Sequence, residues 1–312
     1  MTPTARQIAE LARAAGIAMT SDEAAGYVAP LAALLAELDG AAQRFAASDP
    51  VPAPRTVAIE RSDDPALFGA FVHRFTLPPT GHGVLDGMTV GVKDTVAIAG
   101  VPCTRGRKDG WIHPTHDATI VTRILAAGGT IVGTLNLDAW SSAATGESSE
   151  FGTIENPRAP GHLVGGSSAG SGAALAGGLV DVAIGTDTAG SARIPAAWCD
   201  LFALKPTHGL VPSDGLVGLD PSLDAVCPMA RTLDACAAFF HAIANRHDTQ
   251  PPRTRGIGIV SGLEAHYGAD AAAAMDEAAA RFRAAGWSVA TVDIPLWSSA
   301  WEIESILLAT SV

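Results

Sequence analysis

Three segments of the sequence carry residues that could act as a nucleophile and its base. The stretch GGSSAGSGAALAGG (165–178) places serines among glycines. Clustered glycines mark backbone that needs unusual dihedral angles or a close approach to another group. Another serine, Ser191, follows the run DVAIGTDTAG, and Lys93 closes the run TVGVK. A serine hydroxyl attacks a carbonyl when a base removes its proton, and N–H groups of a glycine-flanked turn can stabilise the oxyanion.

Lysine can serve as that base only when it is neutral. A free lysine has a pKa of ~10.4, and burial in apolar surroundings lowers this by up to ~3–5 units. Lys93 lies between the apolar runs TVGV and TVAIAG, a setting that favours burial. The spacing alone leaves two interpretations open, a catalytic lysine and a buried structural lysine.

Other interpretations of these segments compete with a serine nucleophile in the glycine loop. The pentapeptide GSSAG (166–170) fits the G-x-S-x-G elbow with Ser168 as nucleophile, but the preceding ENPRAPGHLV lacks a strand pattern. A flexible linker is a further reading, and an anion cradle needs glycine motifs that do not occur in this segment. The segment HPTHD (113–117) has metal-like spacing, although we favour a solvated loop with a helix cap.

Alternating strand and helix patterns predict the elements that position these residues. Strand-like runs lie at 88–94, 130–135, 181–187, 201–207, 256–262 and 288–294. Helical patterns lie between them at 117–127, 169–179, 231–244 and 269–285. Apolar strands that alternate with helices predict an α/β fold with a mixed, mainly parallel central sheet covered by helices on both faces. In such folds the chemistry lies beyond the carboxyl ends of the strands.

The first part of the chain has a different organisation. Apolar residues at helical spacing predict two helices over 4–16 and 22–47, and TSDE (20–23) is a capping signal for the second. Prolines and charges then predict a linker over 49–66. We expect an N-terminal helical segment over 1–48 and a main domain over 67–312.

Composition limits the classes of function. The chain has 48% hydrophobic and 17% charged residues and a net charge of −12, which indicates a globular protein and argues against nucleic-acid and anionic-membrane surfaces. Four cysteines without C-x-x-C spacing predict reduced thiols that pack in the core of a cytoplasmic protein. They are Cys103, Cys199, Cys227 and Cys236. Four tryptophans are also expected in the core, namely Trp198, Trp287, Trp297 and Trp301.

The segments GVKD (91–94), GGSSAGSGAALAGG (165–178) and GTDTAGSARIPAAWCDLFALKPTHG (185–209) resemble the three signature segments of the amidase signature family. The similarity runs from about residue 80 to the end of the sequence. Members of that family normally continue well beyond the equivalent of the last residues here. We therefore expect a C-terminally truncated member of the family.

The resemblance implies a role for each matching residue. Ser191 matches the nucleophile, Ser167 the serine that follows a cis peptide bond and relays the proton, and Lys93 the lysine of the relay. The backbone N–H groups of four residues match the oxyanion hole: Thr188, Ala189, Gly190 and Ser191. Supporting roles fall to Ser168, within the relay, and to Asp187 and Arg193, which brace the nucleophile loop. Ala189 replaces a glycine that is usual in the family, so its methyl group narrows the acyl site or requires a negative φ.

The expected activity is amide hydrolysis through a serine acyl-enzyme, by a hydrolase of carbon–nitrogen bonds other than peptide bonds. The resemblance implies no metal and no organic cofactor. The expected partner is a small-molecule amide, without nucleic acid or membrane, and a homodimer is one assembly that we consider. Two alternatives stay open, the glutaminase subunit of a tRNA-dependent amidotransferase and an inactive truncated amidase-like protein.

Overall fold

The computed structural model describes residues 3–48, 55–60, 64–245, 255–262 and 266–311. The chain divides into two compact units, Met1–Pro54 and Arg55–Val312. Much of the predicted linker, residues 49–54 and 61–63, lies outside the described residues. The division into a helical segment, a linker and a main domain stays a prediction.

Helices form the first unit as the periodicity predicts. They are α1 Ala5–Ala14, α2 Ser21–Gly26 and α3 Val28–Ser48. Thr20 caps α2 in a capping box with Glu23, so the TSDE signal is confirmed. The predicted helix over 22–47 is divided between α2 and α3. Pro30 lacks the N–H that a continuous helix would donate to the carbonyl of Gly26, which explains the break.

A six-stranded sheet forms the centre of the second unit. Its strands are β1 Phe71–Leu77, β2 Thr89–Lys93, β3 Thr130–Leu135, β4 Val182–Asp187, β5 Phe202–Ala203 and β6 Ala225–Ala230. Their spatial order is β1-β3-β2-β4-β6-β5. β2 pairs in parallel with β3 and β4, while β1 and β6 run antiparallel to their neighbours. Four of these six strands share one direction, so the predicted α/β fold with a mixed, mainly parallel sheet is confirmed.

Helices cover both faces of this sheet. They are α4 Thr119–Ala126, α5 Ala169–Ala176, α6 Arg193–Trp198 and α7 Leu233–Ile243. One apolar cluster joins α4 and α7 to the sheet through residues such as Ile124, Phe239 and Val92. The other joins α5 to the opposite face through residues such as Leu175 and Leu135. Because side chains alternate along a strand, Lys93 projects on the face opposite its neighbour Val92, the face that α5 covers.

Two strands that the sequence analysis did not predict lie in this sheet. β1 contains His73 and Arg74, which interrupt its apolar pattern. β6 contains Pro228, a residue that argues against a central strand. The carbonyl of Pro228 accepts a hydrogen bond from Leu204 N (3.1 Å). The position of the missing N–H therefore faces the two-residue strand β5, where its loss costs little.

The last part of the chain forms a second, two-stranded sheet. The strands of this sheet are β7 Gly256–Val260 and β8 Ser288–Val292, which run parallel. The same part of the chain contains the helices α8 Ala269–Ala284 and α9 Ala300–Ser311. Both strands and α8 agree with the predicted elements, although β7 and β8 do not join the main sheet. The prediction that the tryptophans are core residues is wrong for three of them, because Trp198, Trp297 and Trp301 are 46%, 42% and 73% exposed.

All four cysteines are free and buried, as expected. Burial raises the pKa of the Cys199 thiol to about 11, so this side chain stays protonated and packs as a small apolar group. The cytoplasmic location stays a prediction. Within the described ranges, none of the helices has the length and apolar character needed to cross a bilayer.

Candidate active site

Two neighbouring strand ends bring the first candidate residues together. β2 and β4 pair in parallel, so their carboxyl ends lie side by side. Lys93 is the last residue of β2 and is fully buried. Its Nζ lies 2.8 Å from Ser167 Oγ and 2.8 Å from Thr186 Oγ1, near the end of β4. The structure therefore places two of the predicted residues, Lys93 and Ser167, in direct contact.

The surroundings of Lys93 favour the neutral amine. Burial lowers the pKa of Lys93 to about 7, and nearby acidic groups oppose this effect only in part. Those groups are Asp138, Cys227, Asp187 and Asp224. The lowered pKa brings the neutral amine, whose lone pair can accept a proton, into the physiological pH range. The catalytic role of Lys93 stays a prediction beside the structural one, and this setting supplies the neutral amine that the catalytic role requires.

The glycine loop is part of the core and is not a linker. Residues 164–175 are all buried, and α5 begins at Ala169. The peptide bond between Gly166 and Ser167 is cis. At Gly170 a Cβ would lie 2.4 Å from the carbonyl oxygen of Ala70, so a residue with a side chain does not fit. The glycines allow a close approach of the backbone, which brings Ser167 to Lys93.

Ser168 does not have the geometry of an elbow nucleophile. Among the described residues, no strand leads into it, and its hydroxyl is fully buried. Its Oγ donates to the carbonyl of Thr186 (3.2 Å) and accepts from Thr186 N (3.1 Å). Both bonds engage the hydroxyl with the end of β4. Ser168 therefore ties the glycine loop to β4.

The loop after β4 carries Ser191. This residue is half-buried, and its carbonyl accepts a hydrogen bond from Ser168 N (2.9 Å). The buried carboxylate of Asp187 accepts from Arg193 Nε (2.9 Å) and Nη2 (2.8 Å). Burial raises the pKa of Asp187, but the hydrogen bonds and charge of Arg193 outweigh burial and lower it overall. An ionised Asp187 thus closes the loop that holds Ser191.

The four predicted oxyanion donors are not equivalent in this structure. Gly190 N donates to Asp187 Oδ1 at 2.9 Å, so this N–H is already used. Within the described part of the chain, the N–H groups of Thr188, Ala189 and Ser191 have no acceptor. Ala189 is exposed and does not adopt a positive φ. Of the two consequences expected for its methyl group, a narrower acyl site or a negative φ, the structure shows the negative φ.

Sequence reasoning missed residues near the site, among them Thr186 and Asp224. Thr186 provides the second oxygen that contacts Lys93 Nζ. Asp224 is buried and accepts a hydrogen bond from Thr188 Oγ1, at the start of the loop that carries Ser191. A signal for Thr186 existed, because it lies one position before the predicted Asp187 at a strand end. Asp224 is 36 positions from Thr188, and no local pattern links the two.

The segment 113–117 has a structural role. Asp117 Oδ1 accepts from Ala99 N (2.8 Å) and forms an ion pair with Arg55. The predicted helix cap is wrong, because Thr119 N at the start of α4 donates to Asp214 Oδ2 (2.9 Å). Over the ranges that the structure covers, no group of three or more His, Cys, Asp or Glu side chains could hold a metal ion.

Comparison with known proteins identifies the family. Residues 80–311 match the amidase family, and the chain belongs to the amidase signature family, as its three motifs predict. One subunit of the glutamyl-tRNA(Gln) amidotransferase of Natronomonas pharaonis is 46% identical over 176 residues, which cover 56% of this chain and 42% of the relative. The same subunit of the Halobacterium salinarum enzyme is 42% identical over 208 residues, covering 66% and 48%. The chain spans less than half the length of these relatives.

Solved structures agree with this assignment. The corresponding glutamyl-tRNA(Gln) amidotransferase subunit of Thermotoga maritima matches with a TM-score of 0.70 and 27% identity, over 80% of this chain and 59% of that one. Native peptide amidase from Stenotrophomonas maltophilia matches with a TM-score of 0.65 and 32% identity, over 73% and 52%. The expectation that nucleic acid plays no part gains no support, since several of these relatives are named for a transfer RNA.

Proposed function

We propose that this chain is an amidase that hydrolyses a carboxylic amide through an acyl-enzyme on Ser191. The observation that carries the proposal is the 2.8 Å contact between Lys93 Nζ and Ser167 Oγ. Both side chains are fully buried, and the pKa of Lys93 is about 7. A buried lysine that is neutral near physiological pH can act as a base. Its hydrogen bond to a serine gives the path by which a proton can reach it.

The proposed reaction begins with proton transfer along the relay. Ser191 Oγ attacks the amide carbonyl while its proton passes to Ser167, whose own proton passes to neutral Lys93. A neutral amine has two N–H donors and one lone pair, so Lys93 can donate to Thr186 and accept from Ser167. The relay then returns the proton to the leaving amine as the carbon–nitrogen bond breaks.

Water completes the cycle. It attacks the ester on Ser191, the relay accepts its proton, and the ester oxygen takes a proton back as the acid leaves. The free N–H groups of Thr188, Ala189 and Ser191 are the proposed donors to the oxyanion in both halves. Asp187 holds this loop by accepting from Arg193 and from Gly190 N. No step in this scheme uses a metal or an organic cofactor.

A second candidate is the glutaminase subunit of a tRNA-dependent amidotransferase. The two relatives from glutamyl-tRNA(Gln) amidotransferases, with 46% and 42% identity, favour it. The chemistry at Ser191 would be the same, with glutamine as the amide. The two candidates differ in whether other chains are required.

Ammonia release from purified protein tests the proposal. The substrates are simple carboxylic amides, peptides with a C-terminal amide, and glutamine, each without ATP, tRNA or other proteins. We expect turnover of one of the first two classes, lost by about 10²–10⁴-fold in Lys93→Arg, because arginine practically never deprotonates. The matched control is Lys205→Arg, at a half-buried lysine outside the relay.

Other outcomes contradict the proposal in different ways. Turnover of glutamine only when partner proteins are added would favour the role in an amidotransferase. A folded chain that releases no ammonia under any of these conditions would favour the inactive amidase-like protein.

A further inference from the structure

The carboxylate of Asp138 lies beneath the backbone that carries Ser167. Asp138 is fully buried. Its Oδ2 accepts a hydrogen bond from Gly146 N (2.9 Å). Its Oδ1 accepts from both Ser148 N (2.9 Å) and Ser148 Oγ (2.8 Å). Three hydrogen bonds therefore hold the segment 144–148 around one carboxylate.

That segment is in turn bonded to the glycine loop. Gly166 N donates to the carbonyl of Ala144 (2.8 Å), and Asp138 N donates to the carbonyl of Ser167 (3.2 Å). A Cβ at Gly166 would lie 1.9 Å from Asp138 Oδ2. The carboxylate thus lies directly against the residue before Ser167. Asp138 therefore contacts the backbone before Ser167, at Gly166, and the backbone after it, at the Ser167 carbonyl.

The carboxylate also carries a charge into the interior. Within the described residues, no Lys, Arg or His side chain forms an ion pair with Asp138, and the contacts of its carboxylate are the three hydrogen bonds from Gly146 and Ser148. Among the groups that face Lys93, Asp138 opposes the effect of burial most strongly, ahead of Cys227, Asp187 and Asp224. Ser167 and Thr186 are neutral partners of the amine.

We infer that Asp138 is a positioning residue for the reaction, one that fixes the backbone of Ser167 and places a buried negative charge near Lys93. This inference rests on the proposed function, because it assigns Asp138 to the same relay. The two parts of the role have opposite consequences. The hydrogen bonds favour a fast relay, while the charge favours the ammonium form of Lys93, which cannot accept a proton.

Asp138→Asn separates these consequences. The readout is the rate at which a fluorophosphonate labels Ser191, measured from pH 5.5 to pH 9. We expect the acidic limb of the rate–pH profile to shift to lower pH by about one unit, because loss of the negative charge makes the ammonium form of Lys93 less favourable. At pH 6 the rate should then rise from about a tenth to about half of its plateau. The plateau itself should fall several-fold, because asparagine cannot accept from both Gly146 N and Ser148 N.

A second variant keeps the charge and removes two hydrogen bonds of one hydroxyl, because Ser148 Oγ donates to Asp138 Oδ1 (2.8 Å) and accepts from Ala139 N (3.2 Å). Ser148 is exposed, so Ser148→Ala carries little risk to folding. We expect Ser148→Ala to lower the plateau rate of labelling and to leave the acidic limb of the rate–pH profile at the same pH. The matched control is Ser222→Ala, since Ser222 N and Oγ donate to Asp220 Oδ1 in the same pattern (2.7 and 2.6 Å) on the segment that leads into β6. A plateau that is equal in Ser148→Ala and Ser222→Ala would overturn the positioning role.

An unmoved or raised limb in Asp138→Asn would overturn the charge role. A test without catalysis separates this failure from failure of the proposed function. The effect of Lys93→Met on the free energy of unfolding is measured against pH, with and without Asp138→Asn. As the pH is lowered, this effect should grow and then become constant. It should become constant below about pH 7 in the chain with Asp138 and below about pH 6 in the chain with Asp138→Asn. Equal levelling points would contradict the inference even if Ser191 never reacts.

Discussion

Replacing Lys93 by methionine is expected to stabilise the fold while it removes the proposed base. In the folded chain the pKa of Lys93 is about 7, against a usual value of 10.5, because burial disfavours the ammonium. At ~1.4 kcal/mol per pKa unit, this costs about 4–5 kcal/mol of stability at pH 7. Methionine loses the contacts of Lys93 with Ser167 and Thr186, worth about 1–3 kcal/mol together. We therefore expect Lys93→Met to raise the free energy of unfolding by about 1–4 kcal/mol at pH 7.

The pH dependence of this increase in the free energy of unfolding tests the protonation state of Lys93 more directly than its size does. Between the folded and unfolded pKa values, the unfolded chain binds a proton at Lys93 that the folded chain lacks. The free energy of unfolding of the wild type therefore rises with pH across this window, and the advantage of Lys93→Met shrinks. From pH 7.0 to pH 8.5 the loss should be about 1.5 kcal/mol. Burial raises the pKa of every cysteine thiol, so the thiols stay protonated in both folded chains at these pH values and their contribution cancels in the difference.

Urea unfolding at the two pH values, followed by circular dichroism, measures this difference. Lys108→Met, at an exposed lysine, provides the baseline for removal of a positive charge. A difference between wild type and Lys93→Met that stays constant from pH 7.0 to pH 8.5 would show that Lys93 is charged in the folded chain. The proposed relay would then lack its base.

Two further substitutions test the supports of the site. Arg193→Ala removes two hydrogen bonds to the buried carboxylate of Asp187 and should lower the free energy of unfolding by about 1–3 kcal/mol at pH 7. Arg193 holds the pKa of Asp187 below its usual 3.8, so the stabilisation that Arg193 provides should be complete at pH 7 and shrink as the pH falls towards and below that value and Asp187 is protonated. A difference between wild type and Arg193→Ala that stays constant in urea unfolding as the pH is lowered would contradict this. Gly170→Ala places a Cβ 2.4 Å from the carbonyl oxygen of Ala70 and should lower the melting temperature by several degrees. Gly268→Ala, which meets open space, is its control, and equal melting temperatures would refute the packing argument.

The central part of the fold could be predicted from the sequence because its strands are short apolar runs between helices. β1 and β6 were missed because His73, Arg74 and Pro228 interrupt such runs. Periodicity identifies a strand but not its neighbours, so the separate pairing of β7 with β8 was out of reach.

The candidate site divides in a similar way. Motif resemblance indicated Lys93 and Ser167, and the structure places them in contact. Asp138 and Asp224 act through hydrogen bonds to residues that the fold brings near, and their local sequence carries no sign of this. The use of Gly190 N by Asp187 is likewise a matter of loop geometry, which residue types do not reveal.

Identification of the serine that reacts with a fluorophosphonate tests the central claim most directly. Cleavage before aspartate by endoproteinase Asp-N releases residues 187–199, in which Ser191 is the only serine, and residues 138–180, which contain Ser167 and Ser168. The account predicts an adduct on the 187–199 peptide of the wild type, lost in Ser191→Ala and strongly reduced in Lys93→Arg. An adduct on the 138–180 peptide, localised to Ser168 and retained in Ser191→Ala, would contradict it.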